Sequence, residues 1–130
     1  MAVSHILGVK GRNVITATPK ETIEITARKL SEHRIGAVVV TDDKGAIAGI
    51  VSERDIVRAV AKHGAAAMAM PASGVMSKAV KTCKAGDSET ELMTLMTEQR
   101  IRHVPVVDDG KIAGMITIGD MVKQGQVIAQ

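Results

Sequence analysis

Apolar and polar positions follow a pattern that occurs twice along the chain. Two pairs of apolar runs, each split by an acidic turn containing glycine, predict two β-hairpins. The runs are 36–40 with 46–51 and 104–107 with 111–116. A segment with helical apolar spacing precedes each hairpin and another follows it. With a short extended opening at 13–18 or 79–84, each copy has the order β-α-β-β-α.

The two copies are also alike in sequence. Residues 32–57 and 98–122 align over 25 positions when Lys44 is omitted, and 13 of these positions are identical. The likeness continues upstream at the same offset, where Val14 and Thr16 match Val80 and Thr82. Two copies are too few for a solenoid, which indicates two pseudo-symmetric halves.

The predicted fold class is therefore α/β (α+β), with two β-α-β-β-α repeats packed through their sheets. We place repeat one at 4–62, a linker with a short lead-in helix at 63–78, and repeat two at 79–124. The linker is rich in alanine and glycine, and Pro71 to Gly74 interrupt it. Each repeat alone would leave an apolar sheet face uncovered, and the pair can bury it.

Composition narrows the function. The 130-residue chain contains no Phe, Tyr or Trp, so it lacks the stacking surfaces that single-stranded nucleic acid uses. The formal charge of +3 is small and its basic residues are dispersed, which makes nucleic-acid binding an unfavoured alternative. A single cysteine excludes an internal disulfide, and no apolar stretch is long enough for a membrane span. We expect a cytoplasmic protein.

The sharpest chemical feature is the duplicated form Gly, two apolar residues, Ser or Thr, two variable residues, Asp. It occurs at 49–55 and at 114–120. A helix that starts at Ser52 or Thr117 would offer amide groups to a phosphate, while the aspartate could accept hydrogen bonds from a ribose. The same residues are also a capping-box variant that needs no ligand. Both interpretations stay open from the residues alone.

These features resemble the CBS domain, and the tandem pair is similar to a stand-alone Bateman module over about residues 4–124. The resemblance rests on the duplication, the motif and the stretches 34–40, 52–57 and 102–107. It implies a homodimer that binds adenosine nucleotides in two clefts between the repeats. It also assigns the ribose contacts to Asp55 and Asp120. We expect helices bearing the small or flexible residues Ala59, Ala61 and Met121 to pack closely in the dimer interface.

The resemblance implies two sets of site residues. Adenine would lie between the extended opening and the first hairpin strand, and the phosphates near the helix start. Site one comprises Ile15, Thr16, Ala17, Gly36, Ala37, Val38, Ser52, Arg54 and Asp55. Site two comprises Lys81, Thr82, Cys83, Arg102, His103, Val104, Pro105, Thr117, Gly119 and Asp120. Since Gly119 stands where site one has Arg54, the two sites should differ in ligand or affinity.

The expected function is a regulatory, non-catalytic module that senses AMP, ADP, ATP or NAD, with AMP favoured, and signals to a partner in trans. The alternative is an interaction scaffold with vestigial clefts. An enzyme is disfavoured, because the sequence offers no nucleophile–base pair and its four histidines are dispersed without metal-ligand spacing. Cys83 is expected to be a small buried apolar residue. The residues do not specify which nucleotide or which partner.

Overall fold

The computed structural model describes residues 2–11 and 13–125. Within them lie six α-helices, five strands and one 3-10 helix. The helices are α1 (Val3–Lys10), α2 (Ile23–His33), α3 (Glu53–His63), α4 (Ala72–Val75), α5 (Glu89–Gln99) and α6 (Ile118–Lys123). The strands are β1 (Thr16–Ala17), β2 (Ala37–Thr41), β3 (Ile47–Ser52), β4 (His103–Asp108) and β5 (Lys111–Thr117), and the 3-10 helix spans Gly64–Ala69.

The two hairpins confirm the predicted repeat in register as well as in order. Ala37 pairs with Ser52 in β2–β3, and His103 pairs with Thr117 in β4–β5. Both ladders are antiparallel, and both shift register at the same place, after Val40 and after Val106. The acidic turns act as expected: the Asp42 carboxylate accepts from the amides of Lys44 and Ala46, each at 2.9 Å.

The helices before the hairpins begin and end alike. The hydroxyls of Thr22 and Ser88 accept from the third amide of α2 and α5, and each helix ends on a left-handed arginine, Arg34 or Arg100, with φ of 54°. Ser88 and Glu91 have the residue types and spacing of a capping box, and the structure shows its hydroxyl half. The apolar side of α5 is buried as predicted, with Leu92, Met93 and Met96 at most 5% exposed.

The extended openings differ between the repeats. The first opening forms β1, which pairs parallel to β2 through Thr16 with Val39 and Ala17 with Val40. In the second opening, the described structure has a single bridge, from Cys83 to Val106. The offset of 66 residues is kept, since Cys83 and Val106 correspond to Ala17 and Val40.

The chain divides into two compact units that exchange their lead-in segments. The first-repeat unit is Ile15–Val80, and the second-repeat unit combines Met1–Val14 with Lys81–Gln130. Helix α1, which precedes repeat one, thus packs in the second-repeat unit, where the amide of Val3 donates to the Asp87 carbonyl at 2.8 Å. Helix α4, which precedes repeat two, packs in the first-repeat unit, where the Ala72 amide donates to the Glu21 carbonyl at 2.7 Å. The repeat boundaries drawn from sequence remain a prediction.

Each unit has its own apolar core. Aliphatic residues and methionines fill both, as expected for a chain without aromatic residues. Gly49 and Gly114 let the lead-in segments approach their hairpins closely. A Cβ at Gly49 would lie 2.6 Å from the Met76 sulfur, and one at Gly114 would lie 2.6 Å from Leu7 Cδ2. The glycine of the duplicated motif is therefore a packing residue in both units.

Candidate functional site

Both copies of the duplicated motif start a helix with a complete capping box. At α3, Ser52 Oγ accepts from the Asp55 amide at 3.2 Å, and Asp55 Oδ2 accepts from the Ser52 amide at 2.9 Å. At α6, Thr117 Oγ1 and the Asp120 amide are 3.1 Å apart, and the Thr117 amide donates to Asp120 Oδ2 at 2.8 Å. The capping interpretation is thus realised at both aspartates.

The amide groups at these helix starts are largely engaged. The Glu53 amide donates to the Gly36 carbonyl at 2.9 Å, and the Ile118 amide donates to the Arg102 carbonyl at the same distance. Together with the capped amides of Asp55 and Asp120, two of the first three amides in each helix already have acceptors. Fewer amide groups are therefore open to a phosphate at these helix starts than expected, and the phosphate contacts stay a prediction.

The side chain of Ser77 also contacts the first aspartate, and no local sequence pattern indicated this contact. Its hydroxyl donates to Asp55 Oδ1 at 3.1 Å. Two backbone bonds to Ile50, of 3.0 and 2.9 Å, hold Ser77 against β3. Both carboxylate oxygens of Asp55 therefore accept hydrogen bonds from the protein.

In the first-repeat unit, pairing makes the three predicted parts of site one neighbours. β1 carries Thr16 and Ala17 next to β2, and β2 lies beside β3, which leads into α3. The side chains of Ala17, Ala37 and Val38 are at most 5% exposed. These residues can therefore offer a ligand their backbone but hardly their side chains. Ile15, Gly36, Ser52 and Asp55 are half-buried, and Arg54 is exposed.

In the second-repeat unit, the hairpin and the helix start are likewise adjacent, through the pair His103 with Thr117. Val104, Pro105 and Cys83 are buried, whereas Lys81, Thr82, Arg102 and Gly119 are exposed. Thr117, His103 and Asp120 are half-buried. The opening of this unit thus presents more polar and charged surface than that of the first.

Burial governs the chemistry of Cys83. Desolvation raises the pKa of its thiol to about 11, and the negative charge of Asp87 adds to the shift. Backbone bonds to Pro105 and Val107 fix it in place. A thiol held protonated is a poor nucleophile and a poor redox sensor, which supports the interpretation as a small buried apolar residue.

A groove of about 300 Å³ opens beside Asp55 in the first-repeat unit. Arg58 and Lys62, which lie one turn apart on α3, form its cationic wall. Met70 and Val75 are among its other lining residues. It is lined by Asp55, Arg58, Lys62, His63, Met70 and Val75, among others. The four-residue spacing of Arg58 and Lys62 is the sequence signal for this basic face.

Among the described residues, no three His, Cys, Asp or Glu side chains are grouped as a metal site would require. The helices of the described chain include none with the length and apolar character needed to cross a membrane.

Comparison with known proteins gives the family. The CBS domain model matches residues 4–62 and 72–126. The chain belongs to the CBS domain family. The structure of the CBS-domain containing protein ATU1752 from Agrobacterium tumefaciens is 46% identical, covers 96% of this chain and 93% of that one, and has a TM-score of 0.92. The neighbours confirm the mixed α/β fold of a CBS domain pair.

Two further relatives extend the comparison. The mitochondrial CBS domain-containing protein CBSX3 of Arabidopsis thaliana is 30% identical over 93% of this chain. The chain spans 63% of that relative's length and 59% of a Methanopyrus kandleri relative. The CBS domain pair of protein MJ0100, solved with 5-methylthioadenosine and S-adenosyl-L-methionine, is 26% identical, with a TM-score of 0.86 and coverage of 96% and 95%.

Proposed function

We propose that this CBS pair is a regulatory module that binds adenosine nucleotides and transmits the bound state to a partner in trans. Each repeat would hold one nucleotide, with the base against the opening and first hairpin strand and the ribose on Asp55 or Asp120. The support is that both aspartates stand at a helix start next to those strands. A related CBS pair that binds two adenosine-containing ligands agrees with this ligand class.

The ligand class can be tested by thermal unfolding with AMP, ADP, ATP, NAD and GTP. A ligand that binds only the folded state raises the melting temperature by mass action, so the adenosine nucleotides should each shift it upward with concentration. GTP should shift it less, because the opening strand presents backbone groups to the base edge. Equal shifts with ATP and GTP would contradict base recognition. Native mass spectrometry of the purified protein would identify any nucleotide that co-purifies.

A second candidate is an interaction scaffold whose sites have lost their ligand. The closed capping boxes and the Ser77 hydroxyl on Asp55 favour it, because they satisfy the aspartates without a ligand. The absence of any melting shift, up to millimolar concentrations of all five nucleotides, would establish this candidate over the sensor.

We further propose a homodimer, on a different surface from the one that the sequence indicated. An interface through Ala59, Ala61 and Met121 was expected, but Ala59 and Met121 are 8% and 0% exposed and lie inside their units. Three of the five exposed large apolar side chains in the described residues lie on α2 and α3, which pack together: Ile25 at 47%, Val57 at 67% and Val60 at 43%. Apolar side chains grouped on neighbouring exposed helix faces are typical of a surface that a partner subunit covers.

Light scattering at micromolar concentration should give the mass of a dimer. The double variant Val57→Glu with Val60→Lys should give a monomer, and Val9→Glu, at a residue 66% exposed in the other unit, is the matched control. A wild-type monomer, or a dimer that survives the double substitution, would contradict this interface.

A further inference from the structure

One polar cluster in the first-repeat unit plays no part in the site as described above. The Lys29 ammonium donates to the Thr16 carbonyl at 2.9 Å and also to Glu21 Oε1. The second Glu21 oxygen accepts from the Thr26 hydroxyl at 2.9 Å. Thr26 is fully buried, and the side chains of Glu21 and Lys29 are 10% and 30% exposed. We call Glu21, Thr26 and Lys29 the clamp.

Through Lys29, the clamp contacts the backbone of β1, the strand that we propose binds the base. β1 has two residues and lies at the edge of its sheet, paired on one side with β2. So short a strand has little ladder of its own to fix its position. A charged donor held in place by a nearly buried carboxylate gives a stronger and more directional bond than a neutral donor. Lys29 thus fixes the carbonyl direction at Thr16.

The second repeat shows that the fold does not need this arrangement. At the same offset of 66, Asp87, Leu92 and Leu95 replace Glu21, Thr26 and Lys29. Leu92 and Leu95 pack in the apolar core of their unit. Asp87 Oδ2 accepts instead from the amide of Lys84, in its own turn, at 2.8 Å. Apolar side chains at these positions therefore support the same helix and hairpin in repeat two.

We propose that the clamp is a positioning device: through the Thr16 carbonyl it sets the base selectivity of the first-repeat site. The inference rests on the proposed nucleotide binding and deepens it. Taking two charged groups out of water is unfavourable, and a structural role would be met as well by leucine. The clamp is retained on the one opening that forms a strand, next to the backbone groups that would meet the base edge.

The test exchanges the clamp for its counterpart in repeat two. The triple variant Glu21→Asp, Thr26→Leu, Lys29→Leu is made in an Asp120→Asn background, so that calorimetry reads the first-repeat site. The Kd values for ATP and GTP are measured for both proteins. The ratio of GTP Kd to ATP Kd should fall about tenfold in the triple variant, as expected when a charge-assisted bond no longer fixes a hydrogen-bonding group.

Two further variants keep the test decisive. Lys29→Arg retains the charge and should keep the ratio. Thr26→Val removes the hydroxyl that bonds Glu21 and the Thr22 carbonyl while preserving the shape of a buried side chain. It should lower the ratio by about twofold to threefold even if the triple variant fails to fold.

The outcomes separate this inference from the function on which it rests. A ratio that stays unchanged while both affinities or the melting temperature fall would show a purely structural clamp and overturn the inference alone. The absence of nucleotide binding by the Asp120→Asn protein would overturn the proposed first-repeat site and the clamp with it.

Discussion

The two repeats share the backbone of their hairpins and helix starts but carry different side chains there. Ala37 and His103 begin hairpins of the same register, and Ser52 and Thr117 begin helices with the same capping box. At matching positions inside the units, however, Ile23 corresponds to Glu89 and Ala17 to Cys83. The geometry of the hairpin and its helices therefore tolerates apolar, acidic and thiol side chains at matching positions. The two sites differ in these side chains and in the opening, which forms a strand in the first repeat and a single bridge in the described part of the second.

The comparison is tested most strongly at the two aspartates. Asp55→Asn keeps an oxygen that can accept from the Ser52 amide, so the cap should lose about 1 kcal/mol or less. It removes the charge that we propose contacts a ribose, and nucleotide affinity at the first-repeat site should then fall about tenfold to a hundredfold. Asp120→Asn should do the same at the second site and leave the first largely intact. Calorimetry with parallel melting curves measures both effects.

If both variants bind as the wild type does and melt several degrees lower, the aspartates are caps and the ribose assignment is wrong.

The glycines of the motif should respond unequally to alanine. A Cβ at Gly49 would meet the Met76 sulfur at 2.6 Å and the Ser77 carbonyl oxygen at 2.9 Å, whereas at Gly114 all three nearest atoms belong to the Leu7 side chain. The Ser77 carbonyl belongs to the backbone and cannot move aside, whereas the end of the Leu7 side chain can. Gly49→Ala should therefore lower the free energy of unfolding by about 2–3 kcal/mol and Gly114→Ala by about 1 kcal/mol. Denaturant unfolding measures both, and equal losses would contradict the distinction.

Cys83 should make stability depend on pH in a way that its counterpart does not. Above pH 9 an unfolded thiol loses its proton, while burial holds the folded thiol protonated until about pH 11. The unfolded state then binds fewer protons, so stability should fall between pH 9 and pH 11, by at most about 2 kcal/mol. Below pH 9 both states are protonated and no such loss occurs.

Cys83→Ala, which copies Ala17, is the matched control for this prediction. Its stability should fall less steeply over the same pH range in urea melts, and parallel slopes for the two proteins would show that other groups cause the dependence.

The smallest effect is expected at Glu89. Its side chain is 2% exposed, and its Oε2 has no hydrogen-bond partner in the described part of the chain, where repeat one has a fully buried Ile23. Glu89→Ile removes an uncompensated polar group but also a carboxylate in the first turn of α5, so it should raise the free energy of unfolding by about 1 kcal/mol. Glu89→Gln keeps the side-chain volume and removes the charge, so it separates the effect of the charge from the effect of packing. A less stable Glu89→Ile protein would show that the carboxylate is needed.

Much of each repeat could be read from short stretches of sequence. The turn residues Asp42 to Gly45 predicted a hairpin because aspartate and glycine adopt the required turn geometry. The motif at Ser52 and Asp55 predicted a helix start, because hydroxyl and carboxylate satisfy amides only three residues away. The capping interpretation and the family resemblance were both available at this level, and the family is confirmed. The ligand contacts remain predictions.

Other features depended on segments far apart in the chain. The exchange of lead-in helices brings Leu7 over Gly114 and Met76 over Gly49, and no local pattern distinguishes this from helices that stay with their own repeats. The Ser77 hydroxyl on Asp55 joins residues 22 positions apart, and the Lys29 contact with Thr16 joins residues 13 positions apart. Periodicity and turn chemistry report interactions within a few residues, whereas which side chains meet across a core depends on how whole segments pack at close approach.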